Sequence, residues 1–429
     1  MPRQEAPDGE AQTLGKDRDA FEPDPGSGVP PHRAPETQRP AVDRLKEIAR
    51  ASLAARLEDL IGLSHWIHGH PETAFEEHAC AAATMRLLED SGFRVEEGIC
   101  DLPTAFSARA GHGPLVIAMC AEYDALPDIG HACGHNVIAA SAVGAGIALA
   151  SVAEELGIGV SVIGTPAEEG GGGKILLLER GAFAGVHAAM MVHPWPADRL
   201  TATCLAVSHF DVHYSGKEAH AAAAPWEGLN AGDAMTIAQV AIGLLRQQLA
   251  PSDQVHGVVL SGGRAANVIP GEATGRFMCR SGSLDALAVL EPRVRRCFEA
   301  GALASGTTVS YEQLCPVYSH MEPDVELLAR YRENAERLGR RFELDDRGVP
   351  PPVISTDMAN VSLQIPAIHP MIGIEADGTV NHQPGFAARC ISASADAALH
   401  DGALALAWTG IDAATLPPLR DRLLGRAAA

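Results

Sequence analysis

The sequence predicts an α/β protein: a mostly parallel sheet between helices, interrupted by a smaller α+β module. Three observations predict it. Apolar, strand-like runs at 114–120, 157–164 and 188–192 alternate with helical stretches, the pattern of sheets whose crossovers are helices. Each run ends in residues that bind metals or move protons: Asp124 to His135 after the first, Glu168-Glu169 after the second and His193 after the third. Ligands of such sheets collect at the carboxyl ends of strands. Near residue 203 the alternation gives way to strand–helix–strand–strand–helix–strand, the ferredoxin-like order, which runs to residue 316.

A chain of 429 residues is too long for one ordinary core, so two domains are expected. The predicted division is a disordered tail over 1–41, a catalytic domain built from 42–202 and 317–415, an inserted lid or dimerisation domain over 203–316, and a weakly structured end over 416–429. The tail is rich in Pro, Gly and charged residues and shows no apolar period. A hydrophobic fraction of 46% with 20% charged residues fits a globular protein. The formal net charge of -21 argues against nucleic acid and anionic membranes as partners, since both need clustered Lys and Arg. No apolar run approaches a membrane span, no secretory signal is visible, and the nine cysteines form no small disulfide framework. A cytoplasmic protein with reduced core thiols is the expectation.

Taken in order, Val42, Leu45, Ile48, Leu53, Leu57 and Leu60 recur at helical spacing up to Ile67. Pro71 breaks that helix, and a second amphipathic helix runs to Leu88. A hairpin over 92–95 and 104–109 precedes the first buried strand. The small-residue run 137–150 reads as a helix, and a short helix over 174–180 follows the second strand. In the inserted module the expected elements are strands at 206–214, 255–260, 273–280 and 307–313, with helices at 230–249 and 284–302. Helices over 323–338 and 393–408 close the chain.

The chemistry sits in a few short stretches. Cys133 and His135, two residues apart, offer a thiolate and an imidazole to a transition metal. That pair alone also fits a buried thiol beside a helix-capping histidine. Glu168-Glu169 is a repulsive pair unless cations compensate it. One carboxylate suits a metal and the other suits proton transfer. Asp124 can orient a ligand histidine. His193 and His382 carry little weight singly. Together, Cys133, His135, Glu169, His193 and His382 supply about the right ligands for two adjacent divalent ions.

With these residues in view, the chain from about Leu45 to Trp408 resembles the metal-dependent amidohydrolases of peptidase family M20. The resemblance rests on His70-Pro71-Glu72, Asp124-Ala125-Leu126-Pro127, His131-Ala132-Cys133-Gly134-His135, Pro166-Ala167-Glu168-Glu169-Gly170, His193, Gly216-Lys217-Glu218-Ala219-His220, Asn267-Val268-Ile269-Pro270 and His382. It implies a zinc-exopeptidase-like catalytic domain. It implies two divalent ions, zinc first and otherwise manganese, cobalt or nickel, held by Cys133, His135, Glu169, His193 and His382. It makes Glu168 the general base and acid, with Asp124 supporting the site. His220 would stabilise the oxyanion, reaching across a homodimer, and Asn267 and Arg280 would bind the substrate's carboxylate.

Asn136 stands where hippurate and auxin-conjugate hydrolases usually carry Asp. With Ser355 to Ser362 it resembles the aminobenzoyl-glutamate hydrolase subunit and the dipeptidase-like branch. The expected substrates are therefore N-acyl amino acids, dipeptides or aminobenzoyl-glutamate-like amides. A specialised non-peptide amide is the alternative, and a non-catalytic binding relative is a further one. His131 and Asp128 are assigned to turns and support rather than ligation.

Overall fold

A computed structural model describes residues 39–426. Most of the expected N-terminal tail lies outside these residues, but 39–41 do not belong to it. They form the first turn of a helix, Arg39–Gly69. Pro40 suits that turn, where its missing N–H would have no partner in any case. The C-terminal expectation also needs correction. Pro417–Arg426 is a helix, docked through Leu419 and Leu423, both fully buried in the main core. Two hydrophobic residues four apart on one face suffice once a surface is there to receive them.

The central sheet has six strands, in the order Arg94–Glu97, Phe106–Gly111, Ile158–Gly164, Leu115–Ala121, Ala188–Met190 and Ala367–Ile368. The first two form the expected hairpin and pair antiparallel with each other. The second pairs antiparallel with Ile158–Gly164. The remaining three pairings are parallel. Every side chain of Ile158–Gly164 is buried, which is why the strand reads as a continuous apolar run rather than an alternating one.

The helix His135–Ala150 is buried almost throughout, between the sheet and the helices Arg39–Gly69 and Ala393–Thr415. Its small residues permit this. A Cβ on Gly144 would sit 2.9 Å from Leu53 Cδ1 and 3.1 Å from both Ala403 Cβ and Leu60 Cδ1. The glycine therefore allows two helices to approach a third at once.

The stretch after residue 203 folds as a second antiparallel sheet, in the order Gln254–Ser261, Glu272–Ser281, Ala206–Ser215, Thr308–Gln313. The helices Ala231–Leu245 and Leu284–Ser305 pack on this sheet around a separate apolar core that includes Phe210, Phe277 and Phe298. No helix among the described residues is long and apolar enough to cross a membrane.

The packing at Gly144 has a measurable consequence. Gly144→Leu is expected to destabilise the protein by about 1–3 kcal/mol through overpacking. Chemical denaturation followed by circular dichroism reads this as a lower unfolding midpoint.

Candidate active site

The strand Leu115–Ala121 delivers the chain to the site, and a sharp left-handed residue turns it into the next helix. Gly134, at φ 82°, caps the helix that begins at His135. A Cβ there would meet Pro194 Cγ at 2.9 Å, so the position needs both the conformation and the small size of glycine. Cys133 and His135 flank this turn and project into a common space. The strand Ile158–Gly164 leads to Pro166 and to Ala167 at φ 59°, and this bend aims Glu168 and Glu169 at the same point.

His193 arrives differently from the expectation. It opens a short strand, His193–Trp195, paired in parallel with Met371–Gly373 outside the central sheet. His382 does not lie at a strand end either. It occupies a loop at φ 68°, and its N–H bonds the Ala132 carbonyl at 2.9 Å. The neighbouring Asn381 amide donates to the Pro194 carbonyl at 3.2 Å and to the Cys133 carbonyl at 3.4 Å. These backbone ties carry a residue from late in the chain to Cys133.

The resulting geometry is compact. Cys133 Sγ lies 3.4 Å from His193 Nε2. His135 Nε2 faces Glu169 Oε1 at 3.8 Å and Glu168 Oε2 at 3.9 Å. His382 Nε2 lies 3.5 Å from Glu169 Oε1. Three groups bring their ligand atoms within 4.8 Å of one another: Cys133, His135 and His193; Cys133, Glu169 and His382; and His135, Glu168 and Glu169. All five expected metal ligands and the expected base thus converge.

These residues fit a divalent cation on the structure's own terms. His135 Nε2 and Glu169 Oε1 are buried and make no hydrogen bond. Buried polar atoms without partners are costly, and a cation would satisfy both. Burial, then the charge of Glu169, pushes the Cys133 thiol well up, while burial pushes His193 down to about 4. The imidazole is therefore neutral and ready to coordinate, and the thiolate needs a positive neighbour. Burial raises the pKa of the Glu168 carboxyl, and the charges of Glu122 and Glu169 raise it further, so it takes up a proton more readily than a free carboxylate.

Asp124 lies fully buried behind this cluster. Its Oδ1 bonds His135 Nδ1 at 2.9 Å, and its Oδ2 accepts the Glu169 N–H at 2.9 Å. This leaves His135 Nε2 as the free nitrogen. Burial alone would disfavour a charged imidazole at His135, but the Asp124 carboxylate outweighs it and holds the pKa up.

Sequence reasoning missed three charged residues beneath the site. Lys174, Glu122 and Asp357 are all fully buried, and the Lys174 ammonium pairs with both carboxylates. Glu122 Oε2 also lies 3.6 Å from His135 Nε2. The available signal was a lone Lys at the start of an otherwise apolar helix. Tyr318 was missed too: its hydroxyl donates to the Glu168 carbonyl at 2.7 Å and accepts the Gly172 N–H at 2.9 Å.

A cavity of about 400 Å³ opens on the cluster, lined by Cys133, Glu168, Glu169, His193 and His382 on one side and by His209 and Arg280 from the second sheet on the other. Arg280 donates to Ser355 Oγ at 2.7 Å. The structure does not bring His220 or Asn267 to this cavity. They sit together on a two-stranded ribbon, where Val268 pairs with His220 and the Asn267 carbonyl accepts the Ala221 N–H. His220 is exposed.

The model of peptidase family M20/M25/M40 matches residues 118–400, a span that contains every residue of the cluster. The chain belongs to this family. It is 38% identical over 393 residues to the Xaa-Arg dipeptidase of Mus musculus, covering 88% of this chain and 91% of that protein. It is 33% identical over 275 residues to a p-aminobenzoyl-glutamate hydrolase subunit of Escherichia coli, covering 59% of this chain and 57% of the relative. Among solved structures, a dinuclear metal-binding M20 peptidase of Bacillus subtilis superimposes with a TM-score of 0.61 at 23% identity, covering 82% of this chain and 98% of that one. This M20 protein is a metal-dependent hydrolase of amide bonds, acting on small substrates.

The two hydrogen bonds made by Asp124 generate a prediction. Asp124→Asn should lower metal affinity about 10–100-fold. Equilibrium dialysis with cobalt measures it, and unchanged affinity would show that Asp124 does not set the ligand geometry.

Proposed function

We propose that this M20 enzyme hydrolyses the amide of N-acyl amino acids, dipeptides or aminobenzoyl-glutamate-like compounds. The observation that carries the reading is the convergence of Glu168 with five ligand-type side chains, four of which, Cys133, Glu169, His193 and His382, line one cavity with Glu168 and Arg280 while His135 lies buried behind them. Cys133, His135, Glu169, His193 and His382 would hold two divalent ions, zinc first, with manganese, cobalt and nickel as alternatives. When bound, such ions polarise a carbonyl and make water nucleophilic near neutral pH.

The chain's own residues do the rest. Glu168 takes a proton from the attacking water and returns it to the leaving amine. Its raised pKa suits that exchange. Arg280, braced by Ser355, receives the substrate's free carboxylate, as a guanidinium fork does well. The module over 203–316 is a ferredoxin-like lid. An amide of a single specialised, non-peptide compound remains the second reading, because the cavity's acidic and basic walls do not by themselves demand a peptide. The enzyme works in the cytoplasm with its nine cysteines reduced, in keeping with their being unpaired.

We further propose a homodimer through the lid. Gln254–Ser261 is an edge strand with exposed Val258 and Leu260, and Val240 and Leu244 lie exposed on the Ala231–Leu245 helix. Open edges of this kind favour strand addition. Dimerisation offers His220 and Asn267 a route to the partner's cavity, where His220 stabilises the oxyanion.

Two measurements check these readings. Glu168→Gln should retain its metal by elemental analysis while kcat falls by about 10²–10⁴-fold, scored by amine release from N-acyl amino acids, dipeptides and aryl amides. A variant as active as the parent removes Glu168 as the base. Sedimentation should give twice the 44.9 kDa chain mass, and a monomer that is fully active removes His220 and Asn267 from the reaction.

A further inference from the structure

A second cavity, of about 600 Å³, adjoins the first and shares Gly170 and His209 with it. The register of the lid sheet explains the continuity. Along Glu272–Ser281, the side chains of Arg280, Met278 and Arg276 alternate onto one face, each rung about 7 Å from the last. Arg280 lines the first cavity, and Met278 and Arg276 line the second. His209 and His256 flank Met278 on the neighbouring strands, and Asp211 and Val258 flank Arg276.

The walls of the second cavity are mainly apolar: Met278, Leu314, Val258 and Cys315. Its arginine does not offer a free charge. Arg276 is held bidentately by Asp211, at 2.8 and 2.9 Å. Burial keeps the Cys315 thiol protonated, its pKa pushed up to about 11. The cavity is therefore unsuited to an ionic group and suited to hydrocarbon.

Position decides which half of the substrate enters. Arg280 and Ser355 sit in the wall of the first cavity and are suited to the carboxylate of the leaving half. Gly170 directly follows Glu169, so the gap between Gly170 and His209 opens beside the reacting atoms. The shared border at Gly170 and His209 offers the half that does not carry the carboxylate a way out of the first cavity.

We propose that the second cavity is the subsite for the acyl half of the substrate and that it takes an extended apolar acyl group, an aliphatic chain or an aromatic ring. This rests on the N-acyl amide reading above. The test uses the full-length, metal-loaded Glu168→Gln protein, titrated calorimetrically with N-acetylglycine and N-octanoylglycine. The octanoyl compound is expected to bind at least about tenfold tighter, from the added buried methylenes. Leu314→Glu and Met278→Glu, both in the cavity wall, should each cut that ratio at least about fivefold, while Val289→Glu, on the exposed side of the Leu284–Ser305 helix, should not change it. Equal affinity for the two compounds, no binding of either, or a ratio that neither wall variant changes would overturn the subsite. Hydrolysis of the same pair by the unsubstituted enzyme is scored separately: failure to cleave either counts against the amide reading, whereas the calorimetry alone judges the subsite.

Discussion

Asp124 bonds the side chain of one ligand-type residue and the backbone of another, and it does so from a fully buried position. The His135 ring and the Glu168-Glu169 turn belong to different strand–helix units, and this carboxylate ties them together. Such a bond works because its charge has no water to bond instead, so the geometry is specific rather than one of many. The convergence of the cluster follows from it: His135 Nε2 is left free, and Glu169 Oε1 faces it at 3.8 Å.

Beneath this lies a second set of buried charges. Lys174 stands between Glu122 and Asp357, each of which is fully buried. Burial opposes the ammonium's charge, but the two carboxylates outweigh it and hold the pKa up. A pair of this kind contributes little net stability, yet losing one partner typically costs about 3–5 kcal/mol because the other charge is stranded. Lys174 lies in the first turn of the helix after the Glu168–Gly172 turn, and its N–H also bonds Asp357 Oδ2 at 2.8 Å. Asp357 in turn follows Ser355 and Thr356 in the cavity wall. The charges thus link the turn that carries Glu168 to the wall that braces Arg280.

The second sheet supplies the other side of the cleft. Its apolar core lies on one face with the two helices, which leaves the opposite face to polar and mixed residues such as His209, Arg276 and Arg280. A half-buried antiparallel sheet has this division by construction. A face on a module with its own core can change its side chains without disturbing the cluster of Cys133, His135 and Glu169, which belongs to the other layer.

Much of the site was legible because its signals are local. Cys133 and His135 are two residues apart, and Glu168-Glu169 follows a strand whose burial is plain from its apolar run. The alternation of strands and helices likewise follows from short-range periodicity. The helix at 417–426 was not legible, because Leu419 and Leu423, among prolines and arginines, form a helix only once the main core accepts them. His382 reached the cluster through a left-handed loop and a backbone bond to Ala132, which spacing along the chain does not encode. Lys174 and Asp357 meet across 183 positions, and a charged residue read in sequence is normally a surface residue. By itself the sequence determined the elements and most of the ligand types. The tertiary structure decided which of them share a cavity, which charges are buried together, and that His220 and Asn267 lie apart from the cavity of their own chain, because those outcomes depend on contacts between segments far apart in the chain.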